Sequence, residues 1–146
     1  MDQKHAIVAI AFGKAIHARH RCVHFGGRTF ARPRVYETLV PNRVYTVSGA
    51  AWAGETDMTE IAVSTDGGHT WAEAEFLDPV RRHAWRRWKF DWLTPKKPGQ
   101  YTLLARAKDA GGVLQPDEHD QNYGVYVINH SLPIEVFVDD SGGPRP

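Results

Sequence analysis

Residues 59–76, TEIAVSTDGGHTWAEAEF, decide the fold. In the first third Ile61 and Val63 fall on one side of an alternating run, Ala62 and Ser64 on the other. In the last third TWAEAEF alternates again, and Asp66-Gly67-Gly68 joins the two. Alternation with a period of two marks a half-buried strand. A tight turn that follows the twist of its strands needs positive φ, which glycine adopts without steric cost. The reading is a β-hairpin. In it the Asp66 carboxylate accepts hydrogen bonds from loop N–H groups, Gly68 supplies the backbone freedom, and Trp71 opens the return strand with a large apolar surface.

The same grammar extends outward. RVYETLV closes on Pro41-Asn42, and RVYTVSGAAW follows, rich in β-branched and aromatic residues. In AWRRWKFDW, Trp88, Phe90 and Trp92 share one face and Arg87, Lys89 and Asp91 the other. QYTLLARAKD sets Tyr101, Leu103, Ala105 and Ala107 together, and PIEVFVDD does the same for Ile134, Val136 and Val138. Gly, Pro, Asn and Asp separate the runs, and no helical period appears after residue 34. The expectation is an all-β protein: an immunoglobulin-like antiparallel β-sandwich of about seven strands spanning 34–140, with 141–146 as a flexible tail. The Cys…Trp…Cys spacing of antibody domains is absent.

A chain of 146 residues is a natural single domain. Its net charge of +1 conceals two regimes. Residues 1–34 carry seven Lys and Arg against Asp2 alone, whereas the remainder carries eleven basic and sixteen acidic groups. Residues 1–33 therefore read as an irregular basic N-terminal arm outside the main domain, with no firm secondary structure. AIVAIAF has the apolar character of a signal-peptide core but is short and lacks a small-residue cleavage site, which leaves a cytoplasmic or periplasmic location open. No apolar run approaches the roughly 20 residues that span a bilayer, so no membrane partner is expected.

The arm holds His17, His20, Cys22 and His24 in the order H-x2-H-x-C-x-H. These donors suit zinc or copper. The spacing is too tight for a usual structural zinc site and a second half is missing, so no metal site is assigned. Its arginines could meet phosphates, but no recognised nucleic-acid fold follows them, and nucleic acid is not expected as a partner. Residues 64–71 match S-x-D-x-G-x-T-W, the Asp-box that recurs on the propeller blades of sialidases. One copy in a chain of this length cannot build a propeller, so the box reads as a turn. No GxSxG or informative carboxylate pair supports nucleophilic catalysis. The basic strand with interleaved tryptophans (Trp85, Arg86, Arg87, Trp88, Lys89) has two readings. One is a core face backed by a subunit interface. The other is a ligand surface on a free-standing module, with carbohydrate as the ligand that exposed tryptophans take.

VYTVSGAAWAG, IAVSTDGGHTW, AWRRWKFDW, PGQYTLLARAKDAGGVLQP, QNYGVYVINH and PIEVFV occur in this order. Over roughly 34–139 the series closely resembles the C-terminal dimerisation domain of the sulfite oxidase family of molybdenum enzymes. The resemblance implies a β-sandwich that pairs two subunits as a homodimer. It implies that molybdopterin and its metal belong to a separate, larger domain in the parent family, with no cofactor in this chain. RCVHF around Cys22 is faintly similar to the context of the family's molybdenum-ligating cysteine, but only some twenty residues here separate it from the sandwich. Some members carry a substrate-binding arginine in an N-x-R-G context. The matching stretch here is Asn122-Tyr123-Gly124, without arginine, so that role does not carry over. The expected function is a dimerisation or accessory domain, not catalytic by itself. Arg106 and Asp109 are expected to tie strand to loop, while Gln115, Asn122 and Asn129 satisfy backbone groups of the long irregular segment.

Overall fold

The computed structural model describes the backbone of residues 8–12 and, in full, residues 38–53, 56–82, 84–118 and 130–140. His17, His20, Cys22, His24, Asn122, Asn129 and the expected tail lie outside the described residues. The described residues form nine strands and no helix: β1 (Val8–Phe12), β2 (Thr38–Leu39), β3 (Val44–Trp52), β4 (Met58–Ser64), β5 (Ala72–Glu73), β6 (Glu75–Phe76), β7 (Arg86–Leu93), β8 (Gly99–Asp109) and β9 (Ile134–Val138). They make a β-sandwich of a four-stranded sheet, β1-β3-β7-β6, and a five-stranded sheet, β2-β9-β8-β4-β5.

Two features differ from the expectation. The sandwich is not wholly antiparallel, because β2 runs parallel to β9, with Thr38 beside Phe137 and Leu39 beside Val138. The segment read as an arm outside the domain also contributes β1, which pairs antiparallel with β3 from Val8 opposite Trp52 to Phe12 opposite Ser48. The basic excess of the arm belongs to its flanks. VAIAF itself carries no charge, and a five-residue strand is too short to shift a regional composition.

The core follows the alternation. Trp88 and Trp92 from β7 meet Ile61 and Val63 from β4, Leu103, Ala105 and Ala107 from β8, and Val136 and Val138 from β9. Large faces small across the ladder: Gly49 is the register partner of Trp88, which leaves room for the indole beside the backbone. Trp92 meets the Tyr101 ring edge-on at 6.1 Å, a geometry suited to the quadrupoles of two aromatic rings.

Polar clamps close the ends. The buried Thr94 hydroxyl donates to the Val40 carbonyl at 2.7 Å and accepts from the Arg43 amide at 3.0 Å. Thr94 thereby fixes the Pro41-Asn42 turn, where Asn42 takes a left-handed φ of 55°. Strand β4 is enclosed on both sides at its C-terminal end. Ala62 and Ser64, on the outward side by alternation, are buried as fully as Ile61 and Val63. The hairpin explains this, because it folds back over β8: Gly68 lies against Leu104 and the Trp71 ring lies against Arg106, the register partners of Ser64 and Ala62.

Candidate association surface

The strand that carries the tryptophans and arginines, β7, is split by its own alternation. Trp88 is 0% exposed and Trp92 is buried. Trp88 therefore cannot touch a second subunit, and its place among the interface residues is corrected: its parity within β7 points it to the core. Arg86 shares that parity and turns inward at the end of the sandwich. Its Nη1 donates to the Met58 carbonyl on the opposite sheet at 2.7 Å, its Nε and Nη2 reach the Asp78 carbonyl at 3.2 Å, and its guanidinium lies 3.6 Å from the Phe76 ring centre. A planar fork with five donors suits this bridging position, where a lysine would reach one acceptor.

Arg87 and Lys89 face outward, each beside a carboxylate from the neighbouring segment. Asp78 takes Arg87 Nε at 2.9 Å and Nη2 at 2.8 Å, and accepts the Arg87 backbone N–H at 2.8 Å. These bonds, with the guanidinium first, hold the Asp78 carboxyl well down at about 2, and the same pair raises the Arg87 pKa. Lys89 Nζ lies 3.1 Å from Glu75, its register partner on β6. Trp85 is 49% exposed and stacks on Trp52, with centroids 6.1 Å apart. The row of exposed tryptophans that a carbohydrate surface requires is not formed, because two of the three rings are in the core. Asp78, Glu75 and Trp52 escaped the sequence reading. Asp78 sits in the LDPVRR break, and only the strand register shows that it faces Arg87.

The hairpin at Asp66 is a closed hydrogen-bond circuit. Ser64 Oγ donates to Asp66 Oδ1 at 2.7 Å and accepts the Gly68 N–H at 2.8 Å. Thr70 gives its hydroxyl to Asp66 Oδ2 at 2.6 Å and its N–H to Oδ1 at 2.9 Å. The Thr70 hydroxyl is the main reason that the Asp66 carboxyl is lowered to about 2, followed by the Thr70 N–H and Ser64. Ser64, Asp66 and Thr70 are thus turned onto the turn itself, and the Gly67 N–H ties it to the Thr102 carbonyl of β8 at 3.0 Å.

The remaining sites lie at the far end of β8. The Arg106 guanidinium sits 4.0 Å from the Trp71 ring centre, within cation–π range, so it meets the hairpin. Buried Asp109 accepts the Val113 N–H at 2.8 Å and the Thr56 hydroxyl at 3.2 Å. Buried Gln115 accepts the Ala107 N–H through Oε1 at 3.2 Å, and its own N–H donates to the Ala107 carbonyl at 2.8 Å. The Val113 and Ala107 bonds join β8 to the segment that leaves it, and the Thr56 bond joins it to the segment that enters β4.

Known proteins place this arrangement. Residues 30–132 match the family model described as Mo-co oxidoreductase dimerisation domain. The chain is 32% identical to the mitochondrial sulfite oxidase of Mus musculus over 84 residues, which is 54% of this chain and 15% of that protein. It is 33% identical to the sulfite oxidase of Gallus gallus over 84 residues, 53% of this chain and 18% of that protein. Among solved structures, the sulfane dehydrogenase SoxCD from Paracoccus pantotrophus matches with a TM-score of 0.59 and 26% identity, over 70% of this chain and 26% of that one. The matched region is thus a small part of each relative's length. The chain belongs to the Mo-co oxidoreductase dimerisation domain family.

Proposed function

We propose that this domain works by association, pairing two copies of its polypeptide as a homodimer within a sulfite-oxidase-like molybdenum oxidoreductase. The observation that carries the reading is the neutralised outer side of β7. The charges that look like an anion-binding strip in sequence are matched by Asp78 and Glu75 of the same chain. Beside them the exposed surface holds Asp91 and an apolar set that includes Trp85 and Leu93. Such a surface suits another protein better than a phosphate backbone or a sugar. In this reading Trp85, Arg87 and Lys89 belong to the contact. Asp66, Gly68, Trp71, Arg106, Asp109 and Gln115 hold the sandwich in shape.

The molybdenum cofactor of the family does not fit the described residues. The sole cysteine of the chain, Cys22, lies outside them. Among the described residues no three His, Cys, Asp or Glu side chains come together as a ligand set. Binding of molybdopterin is accordingly proposed for a separate region of the parent enzyme, and no catalytic step is assigned to this domain. Multi-angle light scattering on the full chain tests the association. A dimeric mass at tens of micromolar supports it, and a monomer at that concentration overturns it.

A further inference from the structure

Register places the outer side of the four-stranded sheet in rows. Val44 lies opposite Leu93, Thr46 opposite Asp91, Ser48 opposite Lys89 and Ala50 opposite Arg87. One step further, Trp52 stacks on Trp85. Ser48 and Lys89 are the midpoint, and the two ends are apolar. Val44 is 60% and Leu93 58% exposed at one end, with Trp85 at the other. Leu77, hydrogen-bonded through its N–H to the Arg87 carbonyl, adds a fourth exposed apolar side chain at the β6 edge. Four of the eight exposed large apolar side chains among the described residues lie on this face, whereas Leu114, paired with the outward-facing Lys108, lies at the outer side of the five-stranded sheet. That other side carries the Gln100–Glu135 and Lys108–Glu60 contacts and is partly covered by the hairpin.

We infer that this face is the dimer contact and that the partner is a second copy of the chain, related by a twofold axis that crosses β3 and β7 at Ser48 and Lys89. The inference rests on the homodimer reading and adds the face and the axis to it. A twofold interface must be complementary to itself. With two sheets packed face to face and the axis across the strands, each residue meets the one equally far beyond the midpoint. Val44 then meets Trp52 of the second copy, and Leu93 meets Trp85. The apolar ends, about 27 Å apart on a nine-residue strand, cover one another.

Charge follows the same rule. Arg87 comes to face Asp91 of the second copy, and symmetry forms the contact twice. Asp78 engages Nε and Nη2 of Arg87, which leaves Nη1 for a second carboxylate. Thr46 engages Oδ1 of Asp91 at 2.6 Å, which leaves Oδ2. Near the axis each Lys89 is held aside by its own Glu75.

Sedimentation velocity on the full chain separates the possibilities. Leu93→Asp and Val44→Asp alter only exposed side chains, so each variant is expected to keep the parent's melting temperature while sedimenting as a monomer. Leu132→Asp, a likewise exposed leucine in the segment before β9 and outside the four-stranded sheet, is the control and is expected to stay dimeric. Asp91→Arg sets like charges together twice, and its dimer dissociation constant is expected to rise at least about tenfold. A parent that is already a monomer sinks the homodimer reading together with this face. A dimeric parent whose Leu93→Asp and Val44→Asp variants remain dimeric overturns the face and leaves the homodimer standing. A dimer lost with Leu93→Asp but indifferent to Asp91→Arg overturns the axis.

Discussion

The indole N–H of Trp71 donates to the carbonyl of Gly68 at 3.0 Å. The same glycine gives its own N–H to Ser64, and its φ of 96° lies where side chains are strained. One residue thus fixes the loop, the aromatic ring that covers β8, and the return strand.

Gly68→Val should destabilise the domain by about 1–3 kcal/mol. Space is not the obstacle, since a Cβ would meet Leu104 at 3.4 Å, an ordinary contact. The cost is conformational, because a β-branched side chain is disfavoured at that φ. Urea unfolding of the variant and its parent measures it, and an unchanged midpoint would contradict the argument.

Ser64→Ala should cost about 1–3 kcal/mol by leaving the Gly68 N–H unsatisfied beneath the hairpin. Ser64 is fully buried, so water has no ready route to replace the hydroxyl. Amide exchange at Gly68 should accelerate well above any change seen at β9. Equal acceleration in both places would show a global loss rather than a local one.

The acid limb of stability should depend on Asp66. Its carboxyl is lowered from 3.8 to about 2 in the folded chain. A depressed folded-state pKa gives stability that is present above the unfolded value and lost as pH falls toward the folded one. The window is therefore pH 4 down to about 2. Asp66→Asn should lower the melting temperature at neutral pH and flatten its decline across that window. Parallel curves for the variant and its parent would refute the assignment.

Arg86→Lys should destabilise by about 1–2 kcal/mol although charge is conserved, because a lysine cannot span Met58 and Asp78 at once. Arg87→Lys, outward and 70% exposed on the next position, should lower the melting temperature by much less, because an exposed ion pair contributes little. Thermal denaturation of the two side by side checks the contrast. Equal effects would mean that the inward bridge contributes nothing beyond its charge.

Period-two patterning made β7, β8 and β9 legible, since Trp88, Leu103 and Val136 all sit where alternation puts them. It also made the Asp66 hairpin legible, because Asp-Gly-Gly acts locally. What the sequence concealed is non-local. Nothing near Asp78 announces Arg87, and nothing near Trp52 announces Trp85, until the register brings them together. Strand β1 was hidden by its basic flanks. The arginines of β7 look alike in a row of letters, yet parity sends Arg86 toward the opposite sheet and Arg87 toward solvent.

The parallel alignment of β2 with β9 has a mechanical consequence. A force applied through Thr38 toward the N-terminal direction and through Val138 toward the C-terminal direction pulls these neighbours along their length in opposite senses. Their hydrogen bonds, together with the Asp139 N–H to Leu39 carbonyl bond of 2.8 Å that extends them, are then loaded together rather than peeled one at a time. Tension between these two points is resisted in shear, and the first rupture falls at this short pair.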